Sequence, residues 1–219
     1  MSQLLSPVEI ASLAAQFLGD KAFTTFGETP TSRFLDSLFE TGRDGLLQMY
    51  PWKFAIRRQQ LAKLSQAPVS LGTTNAASSS SQREDLPNAN AFGLPTDYLR
   101  IIETSNDPNP WKIENVIISG TGVLGDPFVY GNGLITDDDR IVVRYIARLE
   151  DSSQWTSLFA WALAAYLAME SALPTTGSLN KLKAMEELFQ RKIQDARTAN
   201  SFDSAQDKLE SRDLTTDVR

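Results

Sequence analysis

The sequence predicts an α+β fold: a helical bundle of two N-terminal and two C-terminal helices, with an antiparallel β-sheet domain inserted between the pairs. Two observations carry this expectation. Apolar residues recur at helical spacing before residue 51 and after residue 157, whereas the middle of the chain holds β-branched runs separated by Gly, Pro, Asn and Asp. The composition, 42% apolar and 22% charged in 219 residues, is that of a globular chain able to bury a core in one or two domains. The expected boundaries are 1–51 for the first helices, 52–150 for the sheet domain and 151–200 for the last helices, followed by a polar tail, 201–219.

Ser6, Pro7 and Glu9 open the first helix. The Ser6 hydroxyl can accept from the Glu9 amide while the Glu9 carboxylate reaches back, and Pro7 loses no bond at the first helical position. Ile10, Leu13, Ala14, Phe17 and Leu18 follow at helical spacing, and Gly19 can take the left-handed conformation that ends the helix. Thr29 and Pro30 offer a second start, after which Leu35, Leu38, Phe39, Gly42, Leu46 and Met49 share one face as far as Tyr50 and Pro51.

From Trp52 the pattern changes. Phe54, Ile56, Leu61 and Leu64, with Arg57, Arg58 and Lys63 between them, fit a strand or a helix, and a strand is favoured. Residues 66–92, rich in Ser, Asn, Ala, Thr and Pro, read as a long flexible loop. Residues 98–104, 111–119 and 140–149 read as strands. Residues 158–169 carry no charged side chain and are apolar almost all round, which suits the centre of a core; a bilayer span needs about 20 such residues. Pro174 and Gly177 should break this helix. In the last helix Leu179, Leu182, Met185 or Glu186, Phe189, Ile193 and Ala196 form a narrow stripe, with Glu187 and Arg191 as an i,i+4 pair outside it. Beyond Asn200, isolated Phe202, Leu209, Leu214 and Val218 have no core to join, so the tail should order only on a partner.

Charge and chemistry narrow the function. With 21 Lys and Arg against 27 Asp and Glu the net charge is −6, which argues against general nucleic-acid binding, where counterion release rewards a basic excess. His and Cys are both absent, so Cys/His zinc sites, His-dependent nucleophilic systems and disulfides are excluded. Residues 1–5 lack the basic and apolar regions of a signal peptide, and the expectation is a cytosolic, non-catalytic protein. Gly120, Gly122 and Gly125 match G-x-G-x-x-G, but Asp126, Pro127 and then Gly131, Asn132 and Gly133 follow where a phosphate-binding helix should begin; they read as turns between strands. Asp137, Asp138 and Asp139 could hold a hard cation, yet lack EF-hand spacing and read as a solvated turn. An enzyme using that glycine loop or the three aspartates for phosphate or metal chemistry is the alternative from another class. Glu186 and Glu187 read as solvated. Trp52, Trp111, Trp155 and Trp161 suit core packing better than base stacking. Arg57 and Arg58 form the best basic pair, either a solvent-facing rim or a partner contact.

Taken in order, several segments resemble the tail tubular protein A family, the head-to-tail adaptors of short-tailed bacteriophages. They are the helix ending in Leu18 and Gly19, the run Tyr50-Pro51-Trp52-Lys53-Phe54-Ala55-Ile56-Arg57-Arg58, then Leu94-Pro95-Thr96-Asp97-Tyr98-Leu99-Arg100 and Val143-Arg144-Tyr145-Ile146-Ala147-Arg148. Trp155, the Ala/Leu-rich run to Pro174, Gly177-Ser178 and the charged last helix complete the set, over about residues 5–200. The Ser/Asn-rich stretch 73–90 is the main departure. The resemblance implies a virion protein, in the host cytoplasm before assembly: a ring of about twelve copies, docked on the portal protein, offering its far face to the tail nozzle protein, with DNA passing through the lumen unbound. It implies no active site, cofactor, metal or membrane. Arg57, Arg58, Arg191, Arg197, Phe202, Leu209, Leu214 and Val218 are the candidate partner contacts. A non-viral helical adaptor is a further alternative, which neighbouring portal and nozzle genes would exclude.

Overall fold

The computed structural model describes residues 5–64, 90–105, 110–119 and 129–210. They fall into two units, a helical one from residues 1–56 and 148–219 and a β one from residues 57–147. Residues 52–56 and 148–150, assigned to the sheet from sequence, thus belong with the helices. Trp52 explains the first shift: it is buried, and its Nε1 donates to the Leu46 carbonyl at 3.0 Å.

In the helical unit α1 (Pro7–Leu18) starts on the Ser6–Glu9 capping box and stops at left-handed Gly19, φ 86°. Helix α2 (Pro30–Met49) starts on Thr29, whose hydroxyl accepts from the Ser32 amide. Leu35, Phe39, Gly42 and Leu46 are buried as expected, but Met49 is exposed. Gly42 has a packing reason: a Cβ there would lie 3.0 Å from Leu167 Cδ2. Leu167 belongs to α3 (Ser157–Thr176), which packs against α1, α2 and α4 (Leu179–Glu210). Phe159, Leu163 and Leu167 of α3 are fully buried. By length and composition α3 could span a bilayer, so the twelve-residue count of the sequence analysis understated it; here it forms the core of its own unit.

Pro174 does not break α3, which runs on to left-handed Gly177. The proline sits in the last turn, where Thr175 and Thr176 hydroxyls donate to the Ser171 and Ala172 carbonyls at 2.6 and 2.5 Å, and the Gly177 amide closes on Leu173. Helix α4 likewise outlasts its expected end near residue 200 and continues to Glu210. Its buried stripe is Met185, Phe189, Ile193 and Ala196; Leu179 is exposed. The last residues of the expected tail, 211–219, lie outside the described residues.

Among the described residues the β unit holds two three-stranded sheets where one was expected. The first has β1 (Ile56–Gln60), β6 (Val142–Ala147) and β3 (Tyr98–Thr104) side by side in that order. The second orders β2 (Asn90–Gly93), β5 (Val129–Thr136) and β4 (Trp111–Ser119), all antiparallel. Two strands were missed. Residues 90–92, read as the end of a loop, belong to β2 and bury Ala91 and Phe92 against the rest of their sheet. Gly131 and Gly133, read as turn residues, lie inside β5, the central strand. Gly133 is glycine because the strands leave no room: a Cβ would collide with Val116 and sit 3.1 Å from the Phe92 carbonyl oxygen.

Candidate interaction surfaces

Arg57 and Arg58 lie on β1, where alternation sends them to opposite faces. Arg57 shares its face with Gln59 and meets groups contributed by two other segments. Its NH1 donates to Asp97 Oδ2 at 2.6 Å, and the Tyr145 hydroxyl donates to Asp97 Oδ1 at 3.0 Å, with Gln59 Oε1 at 3.4 Å. Asp97 is held by the turn after Pro95, whose carbonyl accepts from the Tyr98 amide at 3.1 Å. Tyr145 stands on the central strand β6 and is buried. Burial, then the hydrogen bond to Asp97 and its negative charge, pushes the Tyr145 hydroxyl up to about 12, with Arg57 opposing. The cluster borders an open groove of about 860 Å³ along β1, walled by Ala62, Leu94 and Pro95 and reached by Arg58. Among the described residues Arg58 has no ion-pair or hydrogen-bond partner for its side chain.

The other candidates lie in the helical unit or outside the described residues. Arg191 is exposed on α4 beside Met169, Glu186, Glu187 and Gln190, around a shallow groove of about 820 Å³. The expected Glu187–Arg191 ion pair is not among those formed by the described residues. Arg197 is used internally. Its guanidinium carbon lies 5.5 Å from the Tyr50 ring centre, and next to it Asn200 Oδ1 accepts from the Lys53 amide at 2.9 Å. Phe202 is 71% exposed on α4. Leu209 lies in the helical backbone, with its side chain outside the description, as are Leu214 and Val218 entirely.

The chemistry-bearing motifs disperse. The three aspartates do not converge on one point: Asp138 Oδ2 accepts from the Thr136 hydroxyl at 3.3 Å, and Asp139 pairs with Lys63 at 3.1 Å. Asn90 Nδ2 donates to the Asp138 carbonyl at 2.9 Å, so the turn is tied down by its own neighbours. Gly120, Gly122 and Gly125 lie outside the described residues. Of the tryptophans, Trp52 and Trp155 are core residues, but Trp111 and Trp161 are each 38% exposed, which departs from the core-packing expectation. Trp161 is a rim residue, 6.1 Å from Phe17 between ring centres, with Lys192 Nζ 5.1 Å from its own.

Sequence reasoning missed Asp97, Tyr145 and Gln59 as members of one cluster. Their separations in the chain, 48 and 86 residues from Tyr145, leave no periodic signal. It also missed buried Arg43, whose Nε donates to Asp44 Oδ1 at 2.9 Å while Arg148 Nε holds Asp44 Oδ2 at 2.8 Å. No family model matches the sequence, and no curated protein matches it.

Proposed function

We propose that this chain is a structural head-to-tail adaptor of a short-tailed bacteriophage, assembling as a ring between the portal and the tail nozzle and leaving DNA free to slide through its lumen. The observation that carries the reading is the meeting of three of the resembling segments. Arg57, Asp97 and Tyr145 come from the segments beginning at Tyr50, Leu94 and Val143, and they join in one hydrogen-bonded cluster. Parts of three segments that carry the resemblance therefore share one cluster in the β unit, which supports reading them as an ordered set. The cluster is an ion pair with a tyrosine kept protonated, a device for positioning rather than for group transfer.

The net charge of −6 also fits, because an acidic conduit repels the phosphate backbone that must pass it. The test is electron microscopy of the purified chain with the portal protein encoded beside it. The expected result is a ring seated on the portal, with the chain alone scattering light as a species near 24.2 kDa. A chain that neither co-sediments with that portal nor forms rings on it overturns the adaptor reading. A melting midpoint that climbs with divalent metal would favour the enzyme alternative instead.

A further inference from the structure

Among the described residues strand β1 has β6 on one side and no strand of its sheet on the other; only just past its end does the chain pair there with β2, where the Gly93 amide donates to the Ala62 carbonyl and the Leu64 amide to the Ala91 carbonyl. Edge strands offer every second N–H and C=O to an incoming extended chain. Here the edge is bordered by the groove described above, and its two faces differ. Arg57 and Gln59 look towards Tyr145 and the apolar wall of Ala62, Leu94 and Pro95, and the Arg57 charge is already matched by Asp97. Arg58 and Gln60 alternate to the other face; Arg58 reaches the rim of the groove, and its charge is unmatched among the described residues. A strand that fits must be apolar on one side and carry carboxylates on the other.

The chain contains such a segment. Asp213-Leu214-Thr215-Thr216-Asp217-Val218 alternates with period two. Leu214, Thr216 and Val218 would share one face of an extended chain, and Asp213, Thr215 and Asp217 the other. Thr and Val also favour strands. We infer that residues 213–218 of a second copy of this chain add as a strand to the free edge of β1, with Leu214 and Thr216 against the groove wall and an Asp opposite Arg58. Thr215 falls opposite Gln60 in either direction: Asp217 then faces Arg58 if the strands are antiparallel, Asp213 if they are parallel. A tail-to-edge contact is heterologous, the kind that closes rings when the rotation allows. The choice of a second copy rests on the ring reading above.

The absence of cysteine makes the test direct. A Gln60→Cys chain is mixed with a Thr215→Cys chain under mild oxidation, both alone and with the portal, because a disulfide needs Cα atoms about 6 Å apart. The expected result is a cross-linked pair, reduced about tenfold by Arg58→Glu and recovered when the tail carries Asp213→Lys with Asp217→Lys. A cross-link indifferent to these charge changes overturns the inference. So does a chain carrying both cysteines that closes on itself when monomeric, which would make the tail its own chain's strand. Rings on the portal without a cross-link overturn the inference and leave the adaptor reading standing. A cross-link without portal rings does the reverse.

Discussion

The helical unit and the β unit are held by different means. The helical unit is organised around one buried helix, α3, with Phe159 at the centre of an aromatic group: Trp52, Phe54 and Trp155 lie 5.1 to 5.6 Å from it between ring centres. The β unit buries Phe92, Leu134, Ile141 and Ile146, has a separate small cluster of Ala91, Val116 and Ile135 with Leu64 against it, and adds a polar cluster around Asp97. Both units therefore bury apolar volume, but the β unit depends in addition on close strand approach and satisfied polar groups. The contrast predicts where each unit is fragile.

The largest effect is expected at the centre of the helical unit. Leu163 is fully buried on α3, so Leu163→Ala removes its transfer energy and leaves a cavity, at a cost of about 2 to 5 kcal/mol. Urea denaturation followed by helical circular dichroism measures it. A loss under about 0.5 kcal/mol would mean that α3 is not the core and would erase the contrast.

In the β unit the most sensitive position is one with no side chain. Gly133→Ala should cost about 1 to 3 kcal/mol by overpacking, because the new Cβ meets Val116 across the strand pair. Hydrogen exchange in β4 and β5 should rise with it. Adding Val116→Ala should restore part of the protection, since the Phe92 carbonyl remains close at 3.1 Å. Full protection in the single variant would show that this strand pair has slack.

The same contrast decides what could be read from the sequence. Helix ends are local: Ser6 with Glu9, Thr29 before Pro30, and Gly19 and Gly177 act within a few residues, and all four lie where their patterns indicate. Pro174 misled because it stands in the last turn of α3, three residues before left-handed Gly177, where its missing N–H costs one bond and no long stretch of helix has to continue past it. The β unit depends on distant partners. Gly133 looks like a turn residue until Val116, diagonal to it on β4, is placed beside it, and Asn90 to Gly93 is too short and too polar at its ends to announce a strand that β5 and the bridge to Lys63 stabilise. Arg57 and Arg58 were visible as a pair, but their difference was not: it comes from Asp97, 40 residues from Arg57 in the chain.

The smallest expected effects are those of pH, and on the acid side they fall in the helical unit. In the β unit the Tyr145 hydroxyl is raised from its usual 10 to about 12, chiefly by burial. Its contribution is complete below pH 10, where the tyrosine is neutral both folded and unfolded. It fades between about 10 and 12, because the unfolded chain releases the proton first. Tyr145→Phe should remove that alkaline loss, and Asp97→Asn should only reduce it, since burial remains. In the helical unit burial also raises Tyr166, but the carboxylates shift the other way. Glu28 accepts from the amides and hydroxyls of both Thr24 and Thr25, at 2.8 to 3.2 Å, and these bonds hold its carboxyl below 4.5. Glu9 and Asp20 are lowered as well, by bonds from Ser6 and from Thr31 and Lys21. Stability from such groups is present above their ordinary range and lost as pH falls through the lowered values. Because Glu28 is at the surface, Glu28→Gln should change the midpoint near neutrality only slightly, yet flatten the acid side of the curve. Exchange in α2 near its start should show this first, while β3 and β6 respond only above pH 10; acid sensitivity in β6 matching that of α2 would remove the distinction between the units.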